Sequence, residues 1–352
     1  MHPPDPWGCE PPGNSGEALL KPAAEVSALN IRGGTAVFVA RLIAQRFILA
    51  LFTLLLVSFL IFAVLEILPG DVATRILGRD ATAETIATLR ERMHLDDPAL
   101  VRYVRWLLGV LRGDFGQSLV SARMVTEILG PRVLNTAFLS IYAFILYTPL
   151  ATLPALVQAV RRDRPIDHAL SVTTLVLLSL PDFLLGTLLL LTFVLLIPVL
   201  PAMSTVDHTS GFVEYFRATT LPALTLAIVM AVYAVRMLRD NLIEVLDADY
   251  IRMAELRGVP ARRVVWRHAL PNALVPTLNV TALNLGYLVG GVVVVEKVFS
   301  YPGFGSLLVD SLQLRDFPLI EATILISASV YIAANFIADA GTILLNPKLR
   351  TG

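Results

Sequence analysis

Residues 133–160 have the sequence VLNTAFLSIYAFILYTPLATLPALVQAV, in which no side chain is charged. A helix needs about 20 apolar residues to cross the hydrocarbon core of a bilayer, whereas a barrel strand needs only about 9–11. This run is also too continuously apolar for a barrel strand, whose residues alternate between lipid and lumen. It therefore predicts a membrane-spanning helix.

Five further runs have the same character, and only Asp182 and Asp339 add a charge within them. They are Phe47–Leu65, Ala169–Val199, Leu221–Val235, Asn272–Val295 and Ala322–Leu345. Because backbone polar groups must be paired in lipid, the runs predict an all-α polytopic membrane protein with six transmembrane helices. Prolines inside the runs predict kinks at Pro149, Pro154, Pro181 and Pro276.

Composition excludes other classes of protein. Of the 352 residues, 56% are hydrophobic and 16% are charged, against roughly 45–50% and 25% in a soluble domain. The chain is therefore neither disordered nor an ordinary soluble enzyme. Its zero net charge gives no bulk field that would attract nucleic acid. The single cysteine, Cys9, can form neither an internal disulfide nor a thiolate zinc site.

Arginine predicts the orientation. Cationic residues concentrate before the first run, after the second, after the fourth and in the C-terminal tail, while the short loops on the other side hold only Arg217 and Arg315. The positive-inside rule then puts both termini in the cytoplasm. Residues 1–40, rich in Pro and Gly and without an apolar core, predict a disordered cytoplasmic tail rather than a cleavable signal peptide.

Residues 69–132 form a long external loop, which exceeds about 60 residues and so is largely exempt from that rule. Asp97-Pro98 predicts an N-cap followed by the first residue of a helix, and Gly113 predicts its end. Between them an apolar stripe comprises Leu100, Val104, Leu107, Leu108 and Leu111. We expect a helical external loop, whose stripe either packs on the membrane bundle or forms a docking surface for a soluble partner.

Residues 244–270 form a second polar segment, EVLDADYIRMAELRGVPARRVVWRHAL. Gly258 predicts a left-handed helix cap, and Pro260 suits the first position of the next helix. In the first helix Leu246, Tyr250 and Met253 share one face. This elbow at the membrane surface either receives mechanical input from a soluble partner or is an interfacial loop held by anionic lipid.

The elbow resembles the cytoplasmic signature loop of ABC-importer permeases, whose pattern is EAA, three residues, G, nine residues, then I-x-L-P. The matching positions are Ala254, Gly258, Leu270 and Pro271, while Arg252, Met253 and His268 replace the E, the first A and the I. These departures are similar to the peptide/nickel branch, which favours Tyr-x-Arg-x-Ala (here from Tyr250) before the Gly and Arg-His-Ala-Leu after it.

The resemblance covers roughly residues 40–350. Further segments similar to that branch are Leu95–Pro98, Tyr103, Trp106, Gly113–Ser118, Ser179–Pro181, Phe183, Glu296, Phe299, Pro302–Gly305 and Asn346–Arg350. Their order and spacing most resemble the first, B-type, permease of dipeptide/oligopeptide importers. The domains implied are the tail over 1–40 and a permease domain over 41–350.

The resemblance implies partners: a second, similar permease, two ATPase subunits at the cytoplasmic face, and a lipid-anchored or periplasmic binding protein. The residues agree, because the only lysines, Lys21, Lys297 and Lys348, do not lie in a phosphate-binding loop. We therefore expect no cofactor, no enzymatic activity of the chain itself, and contacts with membrane lipid but not with nucleic acid.

The elbow is the segment that we expect to face the ATPase, with coupling residues Asp249, Tyr250, Arg252, Ala254, Glu255 and Gly258. For the translocation pathway the candidates are Asp182, Gly286 and Gly290. Asp182 either meets a peptide amino terminus or is a structural residue at the Pro181 break. Gly286 and Gly290 allow close helix approach, within the bundle or at a subunit seam.

Two other function classes remain as alternatives. A secondary transporter often shows internal repeats and broken helices around charges at the bilayer midplane, and no convincing repeat is visible. A membrane enzyme needs a nucleophile or metal constellation, and the five histidines are isolated. Among importers, the expected cargo is a dipeptide or oligopeptide, with nickel or another small solute as the alternative.

Overall fold

A computed structural model of the chain describes residues 17–67, 82–92, 96–205 and 211–345. Over these ranges every regular element is a helix, apart from one isolated antiparallel bridge between Gln117 and Met124. The chain divides into two compact units, residues 1–51 with 339–352, and residues 52–338. The second unit contains the elbow and most of the membrane-spanning helices.

The helices are numbered in chain order. They are α1 Glu17–Ile67, α2 Ala83–Arg92, α3 Ala99–Leu111, α4 Val125–Val160, α5 Pro165–Ser179, α6 Asp182–Leu190, α7 Phe212–Leu246, α8 Asp249–Leu256, α9 Ala261–Arg263, α10 Leu270–Val298, α11 Phe304–Leu314 and α12 Phe317–Leu345. Two π-helical turns, Leu191–Leu196 and Val264–Ala269, continue α6 and α9. Helix α1 begins inside the segment predicted as a tail; residues 1–16 lie outside the described residues, so the tail stays a prediction.

The all-α membrane fold is confirmed. Among the described residues, four helical segments are long and apolar enough to cross a bilayer: Arg41–Ile67, Val125–Val160, Phe212–Leu246 and Phe317–Phe336. A bent pair, Pro165–Ser179 with Asp182–Leu196, makes a further span if it is counted as one. The fifth predicted run falls in the 29-residue helix α10, where many side chains lie outside the described residues.

Pro181 breaks the third predicted span far more sharply than a kink. The chain direction changes by 110° between the two halves of the bent pair. Leu180, which precedes the proline, is extended (φ −85°, ψ 130°), as the clash with the proline ring requires. The Pro181 carbonyl then accepts hydrogen bonds from the N–H groups of Leu184 and Leu185 at 3.0 and 3.1 Å, so a new helix begins. By contrast, Pro149 and Pro154 lie inside the continuous helix α4.

Helix α7 is the centre of the bundle and packs against α4 and α10. In the most apolar 18-residue stretch of α7, 67% of the residues are buried, whereas the corresponding stretch of α4 has 33% buried. Small buried side chains line the contact, with Ala143, Ala151, Ala155 and Ala159 on α4 and Ala223, Ala227, Ala231 and Ala234 on α7. Small residues let two backbones approach closely, which is how helices associate in lipid.

Two buried carboxylates organise the end of the bundle opposite the elbow. Glu296, fully buried at the end of α10, accepts a hydrogen bond from Thr136 Oγ1 at 2.5 Å and from the Ser306 N–H at 2.7 Å. Asp316 accepts from Ser118 Oγ at 2.5 Å and from the Leu119 N–H at 3.2 Å. The first carboxylate joins α4, α10 and α11, and the second ties the external loop to the start of α12.

Helix α3 is the predicted external helix, and its aromatic face packs on α1. The Tyr103 hydroxyl lies 2.8 Å from Ser58 Oγ, and its ring lies 5.6 Å from that of Phe59. Asp97 is not the N-cap as predicted: Pro98 holds that position, and Asp97 pairs with Arg105 at 2.9 Å. Four residues of the predicted apolar stripe, Leu100, Val104, Leu108 and Leu111, are exposed, and Leu107 is half-buried. Within the part of the chain that the structure describes, most of the stripe therefore does not pack on the bundle, and its role as a docking surface stays a prediction.

Candidate functional site

The elbow begins with a break between α7 and α8. Helix α7 ends at Leu246, and Ala248 is extended (φ −72°, ψ 144°) before α8 starts at Asp249. The prediction that Leu246 shares one helix face with Tyr250 and Met253 is therefore wrong. An aspartate competes for local hydrogen bonds in a helix interior but is favourable in a first turn, which agrees with Asp247 at the break and Asp249 at the new start.

One residue anchors α8 to the bundle. Ile251 is 1% exposed and belongs to a cluster with Leu238 and Leu242 of α7 and Val264 of the π-helical turn. Burying such a side chain contributes roughly 1.5–3 kcal/mol. Ile251 is the buried residue of this helix, and most of the other side chains of α8 are exposed.

The predicted coupling residues lie mostly at exposed positions. Asp249, Tyr250, Arg252, Glu255 and Gly258 are exposed, and Ala254 is half-buried. Three large apolar side chains are also exposed on this helix: Tyr250 at 49%, Met253 at 51% and Leu256 at 77%. The Tyr250 hydroxyl accepts a hydrogen bond of 3.3 Å from Asn272 at the start of α10. The outer surface of α8 is thus short, mixed in charge and unusually apolar for an aqueous face.

Gly258 terminates α8 in the left-handed conformation, as predicted, with φ +78°. The Val259 N–H donates to the Ala254 carbonyl at 3.2 Å and the Gly258 N–H donates to that of Glu255 at 2.8 Å, which is the hydrogen-bond pattern of a Schellman cap. A Cβ added at Gly258 would meet no atom within 4 Å. The requirement for glycine therefore comes from the backbone conformation and not from crowding.

Beyond the cap, the elbow continues without interruption into the fifth span. Pro260 is extended (φ −63°, ψ 139°), so it precedes the helix and does not occupy its first turn as predicted. Helix α9, the π-helical turn Val264–Ala269 and α10 then follow in direct succession. Such wide turns inside helices are frequent at functional sites. The buried residue Val264 of the π-helical turn packs in the same cluster as Ile251 of α8, so α8 contacts the segment that leads into α10.

Two ion pairs clamp the elbow end of α7 to the loop after α4 and to the first turn of α5. Asp167, 1% exposed, accepts from Arg239 Nε at 2.9 Å and from Arg239 Nη2 at 2.8 Å. Its Oδ2 also accepts the N–H of Asp163 at 3.1 Å, a residue with φ +62°. Nearby, Arg162 pairs with Asp247 at 3.0 Å. Two-point contacts of this kind are the strong class of charged hydrogen bond.

The sequence reasoning missed this clamp and the anchor Ile251. Asp167 lies directly after a basic loop at the start of an apolar run, and Arg239 lies one turn beyond another. These two isolated, opposite charges lie at the same end of two predicted spans. A charge buried at a membrane boundary needs a partner, so their positions could have predicted the pair.

The other candidate residues lie elsewhere. Asp182 is half-buried and is the first residue of α6, at the Pro181 break. Gly286 and Gly290 lie in the middle of α10, and Asp339 lies near the end of α12, where the side chains are outside the described residues. The role of these residues in a pathway stays a prediction.

Two family models match most of the chain. The family described as "Binding-protein-dependent transport system inner membrane component" matches residues 147–351, and the N-terminal family of the same membrane component matches residues 39–140. The first match contains the whole elbow.

Similar proteins are permeases. The chain is 37% identical over 298 residues to the glutathione transport system permease protein GsiC of Salmonella paratyphi A, covering 85% of this chain and 95% of that protein. It is 36% identical over 299 residues to GsiC of Escherichia coli strain K12, with the same coverage. It is 32% identical over 308 residues to the probable peptide ABC transporter permease protein y4tP of Sinorhizobium fredii, covering 88% and 98%.

The family resemblance seen in the sequence is therefore confirmed, and the protein is a transport component of the bacterial inner membrane rather than an enzyme. It crosses the membrane several times and works in a complex with other subunits. The chain belongs to the family of binding-protein-dependent transport system inner membrane components, as a permease subunit of an ABC importer.

Proposed function

We propose that the chain forms half of the translocation pathway of an ATP-driven importer of peptides, with α8 as the surface on which an ATPase subunit docks. A second, homologous permease supplies the other half, two ATPase subunits bind on the cytoplasmic side, and an extracytoplasmic binding protein delivers the cargo. Both termini are cytoplasmic. The names of the similar proteins, a glutathione permease and a probable peptide permease, favour peptides over nickel or another small solute.

The observation that carries the proposal is the exposed outer surface of α8. Tyr250, Met253 and Leu256 are apolar or aromatic and lie open beside the charges of Asp249, Arg252 and Glu255. A buried apolar centre with a polar rim is the composition of a protein–protein interface. The anchor Ile251 and the cap at Gly258 hold this helix in a fixed orientation, as a docking element requires.

The mechanism is alternating access driven from α8. A ligand shifts a conformational equilibrium only by its differential binding to the two states. ATP-bound and ATP-free partners would hold α8 in two positions, and the continuous segment from α9 to α10 transmits the difference to the fifth span. Because α7 packs on α10 and is clamped through Arg239, the movement reaches the bundle core.

Gly258 supplies the test. Gly258→Val places a β-branched residue in a left-handed conformation, which costs about 1–2 kcal/mol and favours loss of the cap. Asn tolerates this conformation, so Gly258→Asn is the matched control. We expect Gly258→Val to insert normally but to lose dipeptide uptake and the stimulation of ATPase activity by the loaded binding protein, while Gly258→Asn keeps both.

The assay is ATP-dependent uptake into proteoliposomes that contain the assembled transporter. Uptake by the wild-type protein without ATP would overturn the importer, and normal uptake by Gly258→Val would overturn the role of the α8 cap. Uptake of nickel but not of dipeptide would overturn the cargo alone.

A further inference from the structure

A groove at the elbow end of the bundle lies beside α8 but is not part of its outer surface. It has a volume of about 430 Å³ and is formed by the last turn of α4, the start of α5 and the segment after Pro260. Its walls include Leu156, Val157, Val160, Ile166 and Trp266. None of the predicted coupling residues lines it.

The charge of the groove is uniformly positive. Arg161 and Arg262 line it from two different elements, and among the described residues no acidic side chain does so. Both arginines are exposed, and Trp266 is 50% exposed. Arg161 is also the C-cap residue of α4, where the negative end of the helix dipole favours a cation.

The position of the apolar walls identifies what fits. Val157 and Val160 belong to the last turn of a helix that is long and apolar enough to span a membrane, and the charged residues Arg161 and Arg162 follow directly. The groove therefore lies where apolar side chains give way to charged ones, as at the boundary of a bilayer. Tryptophan is typical of the boundary between water and lipid, and basic pockets between membrane helices bind anionic head groups. The occupant must be anionic at one end and apolar at the other.

We propose that this groove binds an anionic phospholipid, with its phosphate between Arg161 and Arg262 and its acyl chains along Val157, Val160 and Trp266. The lipid would bridge α4 to the elbow segment that leads into α10. The site depends on membrane position and charge alone, so it does not rest on the proposed cargo or on ATPase docking.

Trp266 gives a direct test because the chain has three tryptophans, Trp7, Trp106 and Trp266. Trp7→Phe with Trp106→Phe leaves Trp266 as the reporter, and Trp7→Phe with Trp266→Phe leaves Trp106, on the external helix, as the matched control. The full chain is reconstituted in phosphatidylcholine vesicles. To these a second lipid with brominated acyl chains is added, either phosphatidylglycerol or phosphatidylcholine, and its bromine atoms quench tryptophan fluorescence on contact.

We expect brominated phosphatidylglycerol to quench Trp266 at about tenfold lower mole fraction than brominated phosphatidylcholine, and Trp106 to show no such preference. Neutralising the site with Arg161→Gln and Arg262→Gln should abolish the preference. The variant with Arg161→Lys and Arg262→Lys should retain it, as should Arg112→Gln, which removes an exposed arginine next to the external helix.

Equal quenching of Trp266 by the two lipids would overturn the site, as would quenching of neither because a protein surface covers the groove. A preference that survives Arg161→Gln with Arg262→Gln, or that Trp106 shares, would indicate general attraction of anionic lipid and would also overturn it.

Discussion

Glu296 shows how one side chain can fix the end of a membrane bundle. Its carboxylate lies at the N-terminus of α11, where the Ser306 N–H donates to Oε2 and the helix dipole favours negative charge. The Thr136 hydroxyl donates to Oε1 and itself accepts the Phe304 N–H at 2.7 Å. Gly303 leaves room for this arrangement, since a Cβ there would overlap the Glu296 carboxylate.

A double-mutant cycle tests that explanation at the residue scale. Gly303→Ala should destabilise the protein by roughly 1–3 kcal/mol, because the buried carboxylate must leave its partners. In a Glu296→Ala background the same substitution should cost much less, since the overlap is gone. Thermal unfolding in detergent measures both effects. Gly130→Ala is the control, because a Cβ at Gly130 meets no atom within 4 Å and alanine is the better residue inside a helix such as α4. Equal costs of Gly303→Ala in both backgrounds would contradict the overlap.

At the scale of elements, the clamp between α5 and α7 determines where the elbow is attached. Asp167 lies in the first turn of the helix after the basic loop, and Arg239 lies about two turns before α7 ends. Their contact joins the start of α5 to the end of α7. The loop after α4 and the first turn of α5 are therefore tied to the part of α7 that leads into the elbow.

Replacing the Asp167 carboxylate by an amide tests how much this clamp stabilises the folded protein. Asp167→Asn keeps the shape of the side chain but loses the charge that Arg239 contacts at two points, and breaking a buried pair costs roughly 3–5 kcal/mol. Arg239 is partly exposed, at 23%, so we expect a loss of about 2–3 kcal/mol and a lower melting temperature. Asp240→Asn, at the 68% exposed partner of the same arginine, should change stability by less than about 0.5 kcal/mol. Equal melting temperatures of the two variants would refute the clamp.

At the scale of the whole molecule, the chain has two ends with different chemistry. One end holds the arginine-rich loops and the elbow, and the other holds the buried carboxylates Glu296 and Asp316. Contacts define these ends: the loop after α4 meets the end of α7 through Arg162 and Asp247, and the external loop meets the start of α12 through Ser118 and Asp316. The positive-inside rule predicts that the arginine-rich end is cytoplasmic.

Site-directed labelling tests this orientation, because Cys9 is the only native cysteine. In a Cys9→Ser background, Glu214→Cys and Glu255→Cys each place one thiol at an exposed position, near the start of α7 and on α8. A membrane-impermeant maleimide should label Glu214→Cys in intact cells and Glu255→Cys only in inside-out vesicles. The reverse pattern would invert the topology and remove the ATPase-docking surface from the cytoplasm.

Much of this protein could be predicted from local sequence. Apolar runs of sufficient length force helices in lipid, and the glycines at 113 and 258 end helices with φ +80° and +78° because only glycine adopts that conformation at little cost. The expectation that the elbow faces a partner rests on the same kind of local pattern. Local patterns gave a wrong prediction at two positions. The neighbouring Pro98 holds the N-cap position predicted for Asp97. A new helix starts at Asp249, so Leu246 does not continue into it.

The sequence alone determined the membrane class, the helical elements and the position of the elbow, since these depend on the hydropathy and backbone preferences of neighbouring residues. Only the tertiary structure decided that Pro181 bends the third span by 110°, that Ile251 anchors α8, and that Asp167 pairs with Arg239 across 72 positions of the chain. Those features depend on which distant side chains meet in the packed bundle, and no local pattern encodes that pairing.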